Sequence, residues 1–163
     1  MHFPFYMKGD NNMSCGNNRH KTCRDKSCQR YYNNNRQPLA VSTELQLVIE
    51  GTRVVDTGVS IETQNQSYTT LQRGLYHITG DVTVESLAQG DVIFEVYMDG
   101  VPLPCTKRSR TVAIGYNPIH TETDVYLDGC CCDATHTFTY RLTSDAAVNG
   151  SIIEFCSGVL KLA

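Results

Sequence analysis

The sequence predicts an all-β fold, an antiparallel sandwich, jelly roll or barrel, preceded by an N-terminal arm. Three features predict it. Apolar residues recur with period two along several segments, turn dipeptides punctuate the chain at short intervals, and no window of about a dozen residues keeps a helical period.

The arm comes first. Residues 1–37 carry seven bases against Asp10 and Asp25, a balance of +5, whereas residues 38–163 carry seven bases and fifteen acids, a balance of −8. A basic polar arm thus precedes an acidic body, suited either to solvation or to docking on the acidic surface of a particle or of another copy. Residues 29–38, Gln29-Arg30-Tyr31-Tyr32-Asn33-Asn34-Asn35-Arg36-Gln37-Pro38, are polar and Asn-rich and read as a linker. The expected division is a Cys-containing arm over 1–37 and a folded body over 38–163. Within the arm, Lys8-Gly9-Asp10 can be encoded by AAAGGAGAT, a ribosome-binding consensus placed a short spacer before Met13. On that reading residues 1–12 lie outside the native polypeptide, and the source is a bacterium or a phage.

The body then reads as strands. Residues 44–49, 52–55 and 59–62 are the first candidates, separated by Glu50-Gly51 and Thr57-Gly58. Tyr76, Ile78, Gly80, Val82 and Val84 alternate with Leu75, His77, Thr79, Asp81 and Thr83, so one face is buried. Val92, Phe94, Val96 and Met98 alternate in the same way with Asp91, Ile93, Glu95 and Tyr97. Asp99-Gly100 then supplies a tight hairpin turn into Val101-Pro102-Leu103. Residues 111–114 and 121–127 follow, and Ala134, His136, Phe138, Tyr140 and Leu142 form another alternating run. Residues 152–162 close the body.

The stretch from Gly74 to Leu103 resembles a family. Gly74-Leu75-Tyr76-His77-Ile78 with Val82-Thr83-Val84, Gly90-Asp91-Val92-Ile93-Phe94 and Met98-Asp99-Gly100-Val101-Pro102-Leu103 are similar to the core of tumour-necrosis-factor-like jelly rolls. That family includes complement globular heads and the terminal domains of collagen-like spore glycoproteins. The likeness extends over about residues 42–162, with residues 54–59 and 67–71 where the family has its early strands. It implies a two-sheet antiparallel jelly-roll sandwich and a homotrimer packed about a threefold axis. The chain lacks the family's Gly-X-Y collagen stalk and adds cysteines.

Outward apolar residues Leu75, Ile93 and Tyr97, on two consecutive strands, are the candidate oligomer interface. Cys15, Cys23, Cys28, Cys105, Cys130, Cys131, Cys132 and Cys156 are candidates for cross-links made after assembly, and equally for free thiols. Cys15, His20, Cys23 and Cys28 supply four soft ligands within a short span and form the one zinc candidate, though their spacing is not that of a knuckle or ribbon. Cys130-Cys131-Cys132 falls at a loop or strand edge, where neighbouring thiols point in opposite directions. Lys107-Arg108-Ser109-Arg110 reads as a solvated basic loop able to touch an acidic glycan or a neighbouring subunit.

No catalytic residue is expected. His77, His120 and His136 stand among threonines in strand contexts, and the chain carries none of the nucleophile, P-loop, dinucleotide or zinc-protease motifs. No apolar run approaches the roughly 20 residues of a membrane span, and the start has no signal-peptide pattern. No cofactor, membrane or nucleic-acid partner is expected. The expected function is therefore non-enzymatic: a trimeric phage virion decoration, fibre or knob, made in the cytosol and anchored by its arm. The alternative is a spore-surface or spore-appendage subunit cross-linked through cysteines. A carbohydrate-binding module is a third class, disfavoured by the absence of Trp.

Overall fold

In the computed structural model, residues 26–129, 135–145 and 148–163 are described. Among them thirteen strands follow in chain order: β1 (Cys28–Asn33), β2 (Gln37–Leu39), β3 (Glu44–Gln46), β4 (Thr52–Thr57), β5 (Ile61–Gln64), β6 (Ser67–Thr70), β7 (Gly74–Ser86), β8 (Gly90–Met98), β9 (Val101–Pro102), β10 (Arg108–Val112), β11 (Gly115–Leu127), β12 (His136–Ser144) and β13 (Gly150–Lys161). A single 3-10 turn, Pro104–Thr106, joins β9 to β10. No helix among the described residues is long and apolar enough to cross a membrane.

Two antiparallel sheets face each other. The first runs β11-β7-β13-β1-β4, with β2 added on β13; the second runs β10-β8-β12-β6-β5, with β3 on β12 and β9 on β8. The chain passes repeatedly between the sheets, as when β7 of the first leads to β8 of the second and β10 of the second leads to β11 of the first. This is the two-sheet jelly roll that the alternation and the family resemblance predict.

The period-two pattern is what fills the space between the sheets. Tyr76, Ile78, Val82 and Val84 of β7 and Val92, Phe94 and Val96 of β8 are buried, as are Phe138, Tyr140 and Leu142 of β12. Tyr140 packs edge-on against Phe155 at 5.0 Å between centroids and stacks with Phe94 at 6.3 Å. Gly80 makes room for that cluster: a Cβ there would lie 2.8 Å from the Tyr140 ring and 3.0 Å from Phe94. The three fully buried phenols are satisfied, Tyr140 by donating to the Thr79 carbonyl (2.6 Å), Tyr76 to the Gln72 carbonyl (2.7 Å), and Tyr68 by a bond with Ser157 Oγ (2.8 Å). In β13 a register shift between Ile152 and Glu154 resets the alternation, so Ile152 and Phe155 both point inward. The Asp99-Gly100 turn forms as predicted, with φ of 51° and 79° and Met98 paired to Val101.

Two expectations change. The stretch expected as a linker, residues 29–38, holds all of β1 but Cys28 and part of β2, so strand structure begins ten residues before Pro38. β1 lies inside the first sheet, flanked by β13 and β4. Its alternation is carried by polar residues: Gln29, Tyr31 and Asn33 face inward and are buried. Gln29 donates to the Asp56 carboxylate and accepts from Thr63 Oγ1, and Asn33 Nδ2 donates to the Val48 carbonyl at 2.9 Å. A hydrophobicity pattern is blind to a strand whose inward groups are amides that bond to their neighbours. The second change concerns Lys107–Arg110. Residues 108–110 are not a loop but the start of β10, paired with β8 from Arg108 opposite Phe94 to Val112 opposite Gly90.

Candidate assembly face

The outer face of the first sheet is built mainly by β7 and its edge neighbour β11. Their register sets Tyr116 opposite Glu85, His120 opposite Asp81, Glu122 opposite Thr79, Asp124 opposite His77 and Tyr126 opposite Leu75. All of these point away from the core, because the alternate residues Asn117, Ile119, Thr121 and Leu127 face inward. Two large rings stand in solvent: Tyr116 is 70% exposed and Tyr126 67%. Between them run the two histidines and three carboxylates.

Beside β7 the same face dips into a groove of about 360 Å3 lined by Cys28, Arg30, Val55, His77, Gly158 and Leu160. Its floor is Gly158, over which the Arg30 stem lies so closely that a Cβ would come within 2.8 Å of Arg30 Cγ. Burial pushes the Cys28 thiol up from its ordinary pKa, opposed by the Arg30 charge. A raised thiol is a poorer nucleophile at neutral pH.

The expected interface residues separate. Leu75 is on this face, next to Tyr126, whereas Ile93 and Tyr97 are on β8 in the second sheet. They cannot form one patch with Leu75, because β7 and β8 lie in opposite sheets. Tyr97 is covered by its own chain: the Arg141 guanidinium sits 3.9 Å above the ring and is itself paired with Glu44 at 2.8 Å. Tyr116 and Tyr126 went unmarked in the sequence. Taking Ile119, Thr121 and Leu127 as an inward set would have turned them outward.

The cysteines expected as cross-links are not paired among the described residues: Cys28, Cys105 and Cys156 are free thiols. Cys28 and Cys156 lie on neighbouring strands, but Cys28 is opposite Leu160 and Cys156 opposite Tyr32. Four residues of offset, about 13 Å along a strand, exceeds the reach of a disulfide. Cys105 is in the 3-10 turn, its sulfur 3.3 Å from Thr123 Oγ1. Cys15, His20, Cys23, Cys130, Cys131 and Cys132 lie outside the described residues, so the zinc candidate is represented by Cys28 alone.

His136, the third strand histidine, has a separate role. Its Nδ1 meets the Asp99 carboxylate at 2.7 Å, and Asp99 also accepts the Thr137 N–H at 2.8 Å. Partial burial acts to raise the Asp99 carboxyl, but the Thr137 N–H and the His136 ring outweigh it and hold the pKa below the ordinary 3.8. This pins the β8–β9 turn to β12.

Two facing antiparallel sheets in this strand order make a jelly-roll sandwich. No family profile and no curated protein matches the sequence. Solved structures do. Murine APRIL superposes with a TM-score of 0.56 at 17% identity, covering 85% of this chain and all of that one. Vertex protein P5 of phage PRD1 superposes with a TM-score of 0.54 at 15% identity, over 85% of this chain and 73% of that one. At such identities the likeness is one of fold.

Proposed function

We propose that this chain is a non-enzymatic structural protein of a particle surface. In this reading it is a homotrimeric decoration, fibre or knob of a phage virion, held to the particle by its basic N-terminal residues. Its fold is shared with a phage vertex protein, which favours the virion over the other settings of this jelly roll. The observation that carries self-association is the outer face of the first sheet, where Tyr116 and Tyr126 stand in solvent towards the two ends of β11. Aromatic rings bury much apolar area at little conformational cost, so exposed pairs on a flat sheet suit an interface. An obligate interface of this kind buries about 2,000 Å2 or more, which is more than Leu75 with one ring supplies. The whole face must take part.

Light scattering on the purified chain under reducing conditions tests this. A trimer is expected at micromolar concentration, and Tyr116→Asp with Tyr126→Asp is expected to yield a folded monomer. The pair Ile93→Asp with Tyr97→Asp is expected to leave the trimer whole. A monomeric parent chain removes the proposal; a trimer broken by the second pair and not the first moves the interface to the other sheet.

A further inference from the structure

We propose that the cleft between β10 and β11 binds an acidic saccharide, with Arg108 and Arg110 gripping its carboxylate or sulfate group. The site goes beyond the assembly reading and does not require it.

β10 ends the second sheet and β11 ends the first, and the two meet along one side of the sandwich. Register decides what fills that side. Arg108 lies opposite Phe94 and Arg110 opposite Val92, both core residues. The two arginines therefore share the inward face of β10, with their backbone positions about 7 Å apart. No strand lies beyond β10 to cover them, and they line a cleft of about 510 Å3 at the mouth of the sandwich. Pockets for small ligands span about 300–1,000 Å3.

Both guanidinium groups are held in place and lack a counter-charge. Arg108 Nη1 donates to the carbonyls of Cys105 (3.2 Å) and Lys107 (3.1 Å), and Arg110 Nη1 donates to the Pro118 carbonyl. These bonds leave the Nε–Nη2 edge of each arginine, a fork that takes a carboxylate or sulfate through two parallel bonds. Arg36, Arg53 and Arg141 each pair with a carboxylate, whereas the ion pairs among the described residues include neither Arg108 nor Arg110. Anchoring by main-chain carbonyls meets part of the ordering cost before a ligand arrives.

The other groups at the cleft suit a sugar. Asp81, whose Oδ1 is bonded to the His120 ring, has a second oxygen to accept from ligand hydroxyls. Thr83 and Ser109 bring hydroxyls of their own, and exposed Pro118 offers an apolar surface to the C–H face of a ring. Nucleic acid fits poorly. The lining includes no Phe, Tyr or Trp on which a base could stack, and Asp81 repels a densely charged strand. Charge here takes the part that aromatic platforms play for neutral sugars, so the absence of Trp does not count against an acidic one.

Ligand-observed NMR on the full-length protein tests the site, with glucuronic acid, glucose 6-sulfate and glucose as probes and sodium sulfate as competitor. At physiological ionic strength at least one acidic sugar is expected to bind about tenfold or more tighter than glucose. The tighter of the two tells whether a carboxylate or a sulfate ester is preferred. Arg108→Gln with Arg110→Gln is expected to weaken that sugar by about tenfold or more. Lys107→Gln, adjacent in sequence but outside the cleft, is expected to weaken it by less than about twofold. The proposal is overturned if neither acidic sugar surpasses glucose, if the double variant binds as the parent does, or if Lys107→Gln costs as much as the double variant. Sodium sulfate binding as tightly as the acidic sugars also overturns it, since the sugar then contributes nothing. So does a double variant of smaller oligomeric size than the parent by light scattering, which would make the arginines a contact between copies. If the double variant does not melt cooperatively, Arg110→Gln decides: weaker binding of the acidic sugar supports the site, and parental affinity overturns it.

Discussion

The outer faces of the two sheets both carry apolar side chains and treat them differently. On the second sheet, Tyr97 lies under Arg141, which Glu44 holds in place, and Ile93 lies between Ser109 of β10 and Thr143 of β12. On the first sheet, Tyr116 and Tyr126 project from an edge strand with a neighbour on one side only. An outward apolar residue is available to a partner only if its own sheet leaves it uncovered. Position in the strand order decides that, and alternation along one strand does not reveal it.

The comparison can be broken most severely by removing β1. A chain beginning at Pro38 keeps every strand of the second sheet and takes an interior strand from the first, along with buried Tyr31 and the Gln29 and Asn33 hydrogen bonds. It is expected to lose cooperative thermal melting by circular dichroism. Cooperative melting near the parental temperature would show that the first sheet, and with it the docking face, stands without β1.

Single truncations of the two tyrosines sharpen the contrast at a smaller scale. Tyr97→Ala removes a cation–π contact and is expected to lower unfolding free energy by about 1 kcal/mol, with association unchanged. Tyr126→Ala is expected to change the stability of the isolated chain by less than about 0.5 kcal/mol while weakening association. Urea melts paired with light scattering over a dilution series read both quantities. The reverse outcome would exchange the roles of the two faces.

The smallest effect is the pH response of the β8–β9 turn. Because the Asp99 carboxyl lies below its ordinary 3.8 in the folded chain, its contribution is present above that value and is lost as pH falls through the folded pKa. Asp99→Asn keeps a residue that tolerates the positive φ of 51° at this position. The drop in melting temperature between neutral pH and pH about 3 is expected to be slightly smaller in this variant than in the parent. Half of the Asp99 side chain is exposed, so solvent screening keeps the difference small.

The sequence was readable wherever apolar residues did the alternating. β7, β8 and β12 were located and oriented from their own residues, and Asp99-Gly100 identified its hairpin. β1 was hidden because Gln29 and Asn33 take the inward positions that Val or Ile would hold elsewhere, and Asn-rich composition resembles a linker. The face was hidden for another reason. That His77 and His120 share Glu122, or that Leu75 lies opposite Tyr126 and not beside Ile93, follows from the β7–β11 register and the placement of β7 and β8 in opposite sheets. Both are pairings across the chain, which alternation within a segment does not encode.

The position of β13 also bears on how the molecule comes into being. This last strand is held between β7 and β1, so the first strand of the fold has no partner on that side until the last has been made. During synthesis the second sheet has β8, β10 and β12 to hand while the first stays open along its middle. Closure then joins residues from opposite ends of the chain, a long-range pairing that folds slowly. A chain that stops before residue 150 exposes two unpaired strand edges, the kind of surface that recruits other chains.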